Sequence, residues 1–97
     1  MFDLKGKKAL VTGSTQGIGF AIAERLALQG AEVTVHGSKS LEKCEKAAAG
    51  MKANGVATTL TTAVSDLSKP TGADELYEKV GNVDILVLNA SIQYRKK

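Results

Sequence analysis

Lys8-Ala9-Leu10-Val11-Thr12-Gly13-Ser14-Thr15-Gln16-Gly17-Ile18-Gly19 is an apolar run that three glycines interrupt, and residues 20–29 continue it as a helical stretch. Apolar residues return at Ile18, Ile22 and Leu26, so the spacing predicts a buried strand, a tight turn and an amphipathic helix. Gly13 admits backbone angles in the turn that a β-carbon resists. Gly17 and Gly19 clear side chains from the helix start, which lets an anion reach the free N–H groups and lets the helix pack closely on the strand. A helix N-terminus carries about half a positive charge together with unpartnered donors. The stretch therefore reads as a phosphate cradle, with a purely structural turn as the alternative. Its order, Gly-x-x-x-Gly-x-Gly, is neither the general dinucleotide fingerprint nor the Walker pattern.

Outward from this stretch the same alternation repeats. Ala31-Glu32-Val33-Thr34-Val35-His36 is β-branched at its centre and reads as a second strand. Gly37-Ser38-Lys39-Ser40 forms a loop in which Ser40 can cap a helix over residues 41–52, with Leu41, Cys44, Ala48 and Met51 on its buried face. Asn54-Gly55 ends that helix, and the Thr- and Val-rich residues 56–64 read as a third strand. Thr71-Gly72-Ala73-Asp74 has capping-box spacing, and Ala73, Leu76, Tyr77 and Val80 would give the next helix its buried side. Residues 83–88, apolar except for Asp84, read as a strand buried on both faces of a parallel sheet.

Composition narrows the function classes. Thirteen Lys and Arg are interleaved with ten Asp and Glu, and a net charge of +3 with its one basic cluster at Arg95-Lys96-Lys97 does not argue for a nucleic-acid partner. The lone Cys44 falls in a helical stripe and reads as a core thiol rather than a reactive one, and no Cys/His grouping has metal-ligand spacing. The first eight residues lack the apolar core of a signal peptide, and no 18-residue apolar run exists, so neither a leader nor a membrane span is expected and a cytoplasmic setting fits. His36, the single histidine, has no acidic or nucleophilic neighbour in sequence and reads as a strand-end residue rather than a catalytic base.

Thr12-Gly13-Ser14-Thr15-Gln16-Gly17-Ile18-Gly19 resembles the Thr-Gly-x-x-x-Gly-Ile-Gly signature of the short-chain dehydrogenases/reductases, NAD(P)-dependent oxidoreductases built on a Rossmann domain. Gly30-Ala31-Glu32-Val33, Asp66-Leu67 and Asp84-Ile85-Leu86-Val87-Leu88-Asn89-Ala90 stand in the corresponding order, and the resemblance covers essentially all 97 residues. It implies an α/β fold, a Rossmann-type parallel sheet of strand order 3-2-1-4 within one segment, residues 1–97, comprising the first half of the fold plus a fourth strand. By resemblance, residues 13–19 hold the pyrophosphate, Asp66 accepts from the adenine amino group beside the Leu67 backbone, and Asn89 and Ala90 pass the adenosine ribose. For Asp66 the alternative is a turn cap. The family's Asn-Asn-Ala-Gly is here Leu88-Asn89-Ala90-Ser91, which adds a β-carbon at the last position.

The second strand of dinucleotide folds usually ends in an acidic residue that accepts from the ribose hydroxyls. Gly37 stands there instead, followed by Ser38 and Lys39, a hydroxyl and a cation suited to a 2′-phosphate, so NADP(H) is preferred and NAD(H) remains open. The family transfers a hydride between nicotinamide and a carbonyl or alcohol carbon through Ser and Tyr-x-x-x-Lys. Neither Tyr77 nor Tyr94 is followed by Lys at that spacing, so no residue of this chain takes the acid/base role. Two readings follow: the cofactor-binding portion of an oxidoreductase whose catalytic half lies outside this chain, or a standalone dinucleotide-binding module. A fourth strand left as a sheet edge predicts weak stability or pairing with another copy.

Overall fold

A computed structural model describes residues 4–89 of the chain. Along it run β1 (Lys8–Val11), α1 (Gly17–Leu28), β2 (Glu32–Gly37), α2 (Leu41–Ala53), β3 (Leu60–Val64), α3 (Gly72–Val80) and β4 (Ile85–Val87). Every strand pair is parallel, and the sheet order is β3-β2-β1-β4, the order implied by the resemblance. Ala90, Ser91, Tyr94 and the basic end of the chain lie outside the described residues.

Alternate strand residues feed two cores of unequal depth. Ala9, Val11, Val33 and Val35 pack with Ala23 and Ala27 of α1 and with Cys44, Ala47 and Met51 of α2. On the opposite face Leu10 and Ala63 meet Leu76 of α3, with Leu67, Val80 and Val83 at the margin. Two helices thus cover one face and one short helix the other, and the second face runs out of cover at β4. Ile85 and Val87 are half-buried against the first core, whereas Leu86 is exposed and Leu88 is 74% exposed. The expectation of burial on both faces for residues 83–88 is corrected accordingly: among the described residues β4 is a sheet edge with one covered side.

The helices also differ from the sequence reading in their faces. α1 starts at Gly17 rather than Phe20, because the poor helix propensity of glycine masks a first turn whose N–H groups need no helical partner. Its buried residues are Gly19, Ala23 and Ala27, while Ile18 is 73% exposed and Ile22 and Leu26 are only partly covered. Small residues at i, i+4 and i+8 let the helix lie against the sheet.

In α2 the Ser40 hydroxyl accepts from Lys43 N–H as expected, but Leu41 is exposed and Ala47 completes the buried stripe. Both α1 and α2 end in Schellman motifs, with Ala31 N–H donating to Leu26 C=O and Val56 N–H to Met51 C=O. That cap consumes Val56, so β3 begins at Leu60 and not at residue 56. Thr71 makes no side-chain cap, and Ala73 and Tyr77 face outward, because Gly72 packs so closely on Asp66 C=O that this side of α3 turns inward.

Candidate functional site

The carboxyl ends of the strands bring together the loop after β1, the end of β2, the loop after β3 and the residue two past β4. Gly13 and Gly17 hold φ of +64° and +65°, the left-handed region that residues with a β-carbon enter at a cost of roughly 1 kcal/mol. Space around Gly17 is open, whereas a β-carbon at Gly19 would fall on Gly13 C=O and within 2.5 Å of Asn89 Nδ2. Gln16, Gly17 and Ile18 are exposed at the helix start. α1 has no side-chain cap and no acidic residue in its first turn. By contrast, α2 has Ser40 and Glu42, and α3 has Asp74 and Glu75. Among the described helices, only α1 has neither a side-chain cap nor an acidic residue in the first turn at its positive end.

Asn89 closes the crevice between β1 and β4. Its N–H donates to Thr12 Oγ1 at 2.8 Å and its Nδ2 donates to Gly13 C=O at 3.3 Å. Thr12 N–H in turn donates to Val87 C=O at 3.0 Å. Ser14 points the other way: fully buried, it accepts from His36 N–H at its Oγ (2.9 Å) and donates its own N–H to His36 C=O (2.9 Å). Thr15 sits half-buried between these and the open rim.

Asp66 forms an Asx turn in which the Ser68 hydroxyl (2.5 Å) and N–H (3.0 Å) both donate to Oδ1. The Ser68 hydroxyl, then its N–H, hold the Asp66 carboxyl below the usual carboxylate range, with smaller help from Lys69 and Lys39. Lys39 therefore lies near enough to the Asp66 loop to share its field. Leu67 is half-buried beside it, and Ser38 and Lys39 are exposed. A β-carbon at Gly37 would come within 2.9 Å of Cys44 Sγ and 3.1 Å of the Thr15 methyl. Burial pushes the Cys44 thiol up, and its S–H points at Ala63 C=O at 3.6 Å, which fits a core thiol.

One residue matters more than the sequence reading allowed. His36 is 1% exposed, and its ring joins the Gly13 amide to Ser65 across the end of the sheet. Alternation along β2 places it on the face of Thr34, but only the register against β1 and β3 shows what it meets. Burial lowers its pKa from 6.5, partly offset by the Ser65 carbonyl. An unfolded histidine takes up its proton near pH 6.5 while the buried ring resists, so over that window the unfolded state holds more protons and stability climbs with pH. As pH falls below 6.5, stability should drop by at most ~1.4 kcal/mol per unit from this group and level off below the folded value. Urea unfolding of wild type and His36→Asn between pH 7.5 and 5 checks this, and parallel profiles would refute it.

The known proteins agree with this geometry. Residues 7–97 match the family model described as short chain dehydrogenase. The chain is 43% identical over 90 residues to an uncharacterized oxidoreductase, YvaG, of Bacillus subtilis (strain 168), covering 93% of this chain and 34% of that protein. The crystal structure of a 3-oxoacyl (acyl-carrier-protein) reductase of Agrobacterium tumefaciens C58 with NADP bound superposes with a TM-score of 0.85 at 41% identity, over 99% of this chain and 37% of that one. L-Sorbose reductase from Gluconobacter frateurii, complexed with NADPH and L-sorbose, gives 0.84 at 32% identity, over 99% and 37%. The chain thus spans about a third of the length of such relatives. No helix among the described residues is long and apolar enough to cross a membrane. With the glycine signature, the 3-2-1-4 sheet and a family match over residues 7–97, this chain belongs to the short chain dehydrogenase family.

Proposed function

We propose that residues 1–97 form a single segment that binds NADP(H) for an oxidoreductase acting on a carbonyl or alcohol group of a small molecule, in a cytoplasmic setting. The carrying observation is the start of α1, uncapped and without an acid, set beside a Gly19 that leaves no room for a side chain. When bound, the nicotinamide would supply the hydride to a carbonyl or accept it from an alcohol. The chain's own residues bind and orient. The amides of Gly17, Ile18 and Gly19 face the pyrophosphate, with Thr15 and Gln16 at its rim, while Gly13 and Ser14 hold the turn. Ser38 and Lys39 take the 2′-phosphate, and Asp66 with Leu67 takes the adenine edge. Asn89 and Ala90 border the adenosine ribose, Ala90 lying outside the described residues.

The preference for NADP(H) over NAD(H) rests on Lys39 and on the absence of a carboxylate at Gly37, and the NADP-bound relatives are in keeping with it. Replacing Lys39 by Glu exchanges an attraction for a repulsion at an exposed position. Lys39→Glu should weaken NADPH roughly tenfold and leave NADH within about twofold, the scale of one charged contact to phosphate. Fluorescence titration with both dinucleotides tests it, and equal losses for the two would remove Lys39 from the 2′ site.

A further inference from the structure

We infer that His36 is a positioning residue for the dinucleotide: its neutral ring, carrying its hydrogen on Nε2, holds the Gly13 amide on one side and Ser65 on the other, and so sets the glycine loop against the adenine-side loop. This rests on the cofactor reading above. The tautomer follows from the partners. Gly13 N–H is 3.0 Å from Nδ1 and can only donate, so Nδ1 keeps its lone pair. Nε2 then bears the hydrogen and faces Ser65 C=O at 3.0 Å, with Ser65 Oγ at 3.2 Å. A hydrogen on Nδ1 would confront that of Gly13.

Three strand ends meet at this one side chain. The backbone reinforces the same joint, through Ser14 N–H to His36 C=O and Ser65 N–H to Gly37 C=O. Gly13 is also gripped from its other side, where Asn89 Nδ2 donates to its carbonyl. Both backbone polar groups of Gly13 are therefore held, N–H by His36 and C=O by Asn89, just before the turn that leads to Gly17 and Gly19. Ser65 immediately precedes Asp66, so the second bond of the ring steadies the loop assigned to adenine. Without the ring, Gly13 N–H loses its acceptor, and the turn gains freedom that cofactor binding must then remove.

The test compares wild type, His36→Leu and His36→Asn. Leu keeps apolar bulk without any acceptor, whereas Asn restores an acceptor but not the full span to Ser65. In the free wild-type chain at pH 7.5, long-range proton–nitrogen spectra should show the Nε2–H tautomer. With folding of each variant verified by amide spectra, His36→Leu should bind NADPH at least tenfold more weakly than wild type, and His36→Asn should recover part of that loss. A Nδ1–H tautomer, or a folded His36→Leu with wild-type affinity, overturns the role of His36 while leaving the cradle intact. Should His36→Leu not fold, the comparison of His36→Asn with wild type decides in the same way. Wild type that shows the Nε2–H tautomer yet binds no NADPH overturns the cofactor reading itself, and the positioning role falls with it.

Discussion

Gly19→Val should leave NADPH binding undetectable, at least a hundredfold weaker than wild type, and should lower stability. The added β-carbon would lie within 2.9 Å of Gly13 C, closer still to its carbonyl oxygen, and 2.5 Å from Asn89 Nδ2. The Gly13 atoms are backbone and cannot swing aside as a side-chain end can. Gly13 is held at its N–H by His36 and at its carbonyl by Asn89, so relieving the collision with it lifts the first turn of α1 off β1. Overpacking of this kind costs about 1–3 kcal/mol in stability. The larger effect falls on affinity, since the displaced turn carries the amides assigned to pyrophosphate. Urea unfolding with fluorescence titration measures both, and a folded variant of unchanged affinity would mean that the start of α1 is not the seat of the cofactor.

Charge on the open side of β4 should change how copies of the chain behave at high concentration. Leu86 and Leu88 lie on the face that α3 leaves uncovered, and among the described residues β4 has no strand on its outer side. Apolar groups beside unpaired backbone groups favour strand pairing between molecules. In sedimentation velocity from about 10 µM to 1 mM, wild type should show concentration-dependent association, weakened at least tenfold in Leu86→Lys/Leu88→Lys. The estimate takes roughly 25 cal/mol per Å² for the apolar area that no longer meets a partner. A wild type that stays monomeric over the whole range would show that this edge does not recruit a second copy.

The placement of the turn was legible because it depends on local signals, an apolar run, glycines and a returning helical period, whereas the strand order was implied by the family resemblance and the right-handed crossover rule. Less legible were properties that depend on what lies opposite. The apolar residues 85–88 look alike in sequence, yet Val87 meets the first core and Leu88 is exposed, a difference set by the number of helices on each face. Ile18 fits the helical stripe by spacing, but Gly19, one position on, is the residue that contacts the sheet. Val56 suits a strand by propensity and is taken instead by the Schellman cap of α2. Ser14 and Asp66 were both read as residues facing a ligand. Ser14 is engaged inside the fold by His36, and Asp66 binds Ser68 through one oxygen, matching the turn-cap alternative without excluding the adenine contact. His36 could be placed on a strand, but its two partners come from segments 23 and 29 residues away.

Gly37 ties the proposed NADP(H) preference to packing inside the fold. An acidic residue there would favour the ribose hydroxyls of NAD, yet any side chain must first displace Cys44 Sγ and the Thr15 methyl, neither of which lies in the exposed loop. An acidic residue at 37 therefore needs space that Cys44 and Thr15 now fill, and a smaller residue at 44 would widen that space from inside the fold. On the proposed NADP(H) reading, coenzyme choice thus involves an interior packing partner as well as the exposed Ser38-Lys39 loop.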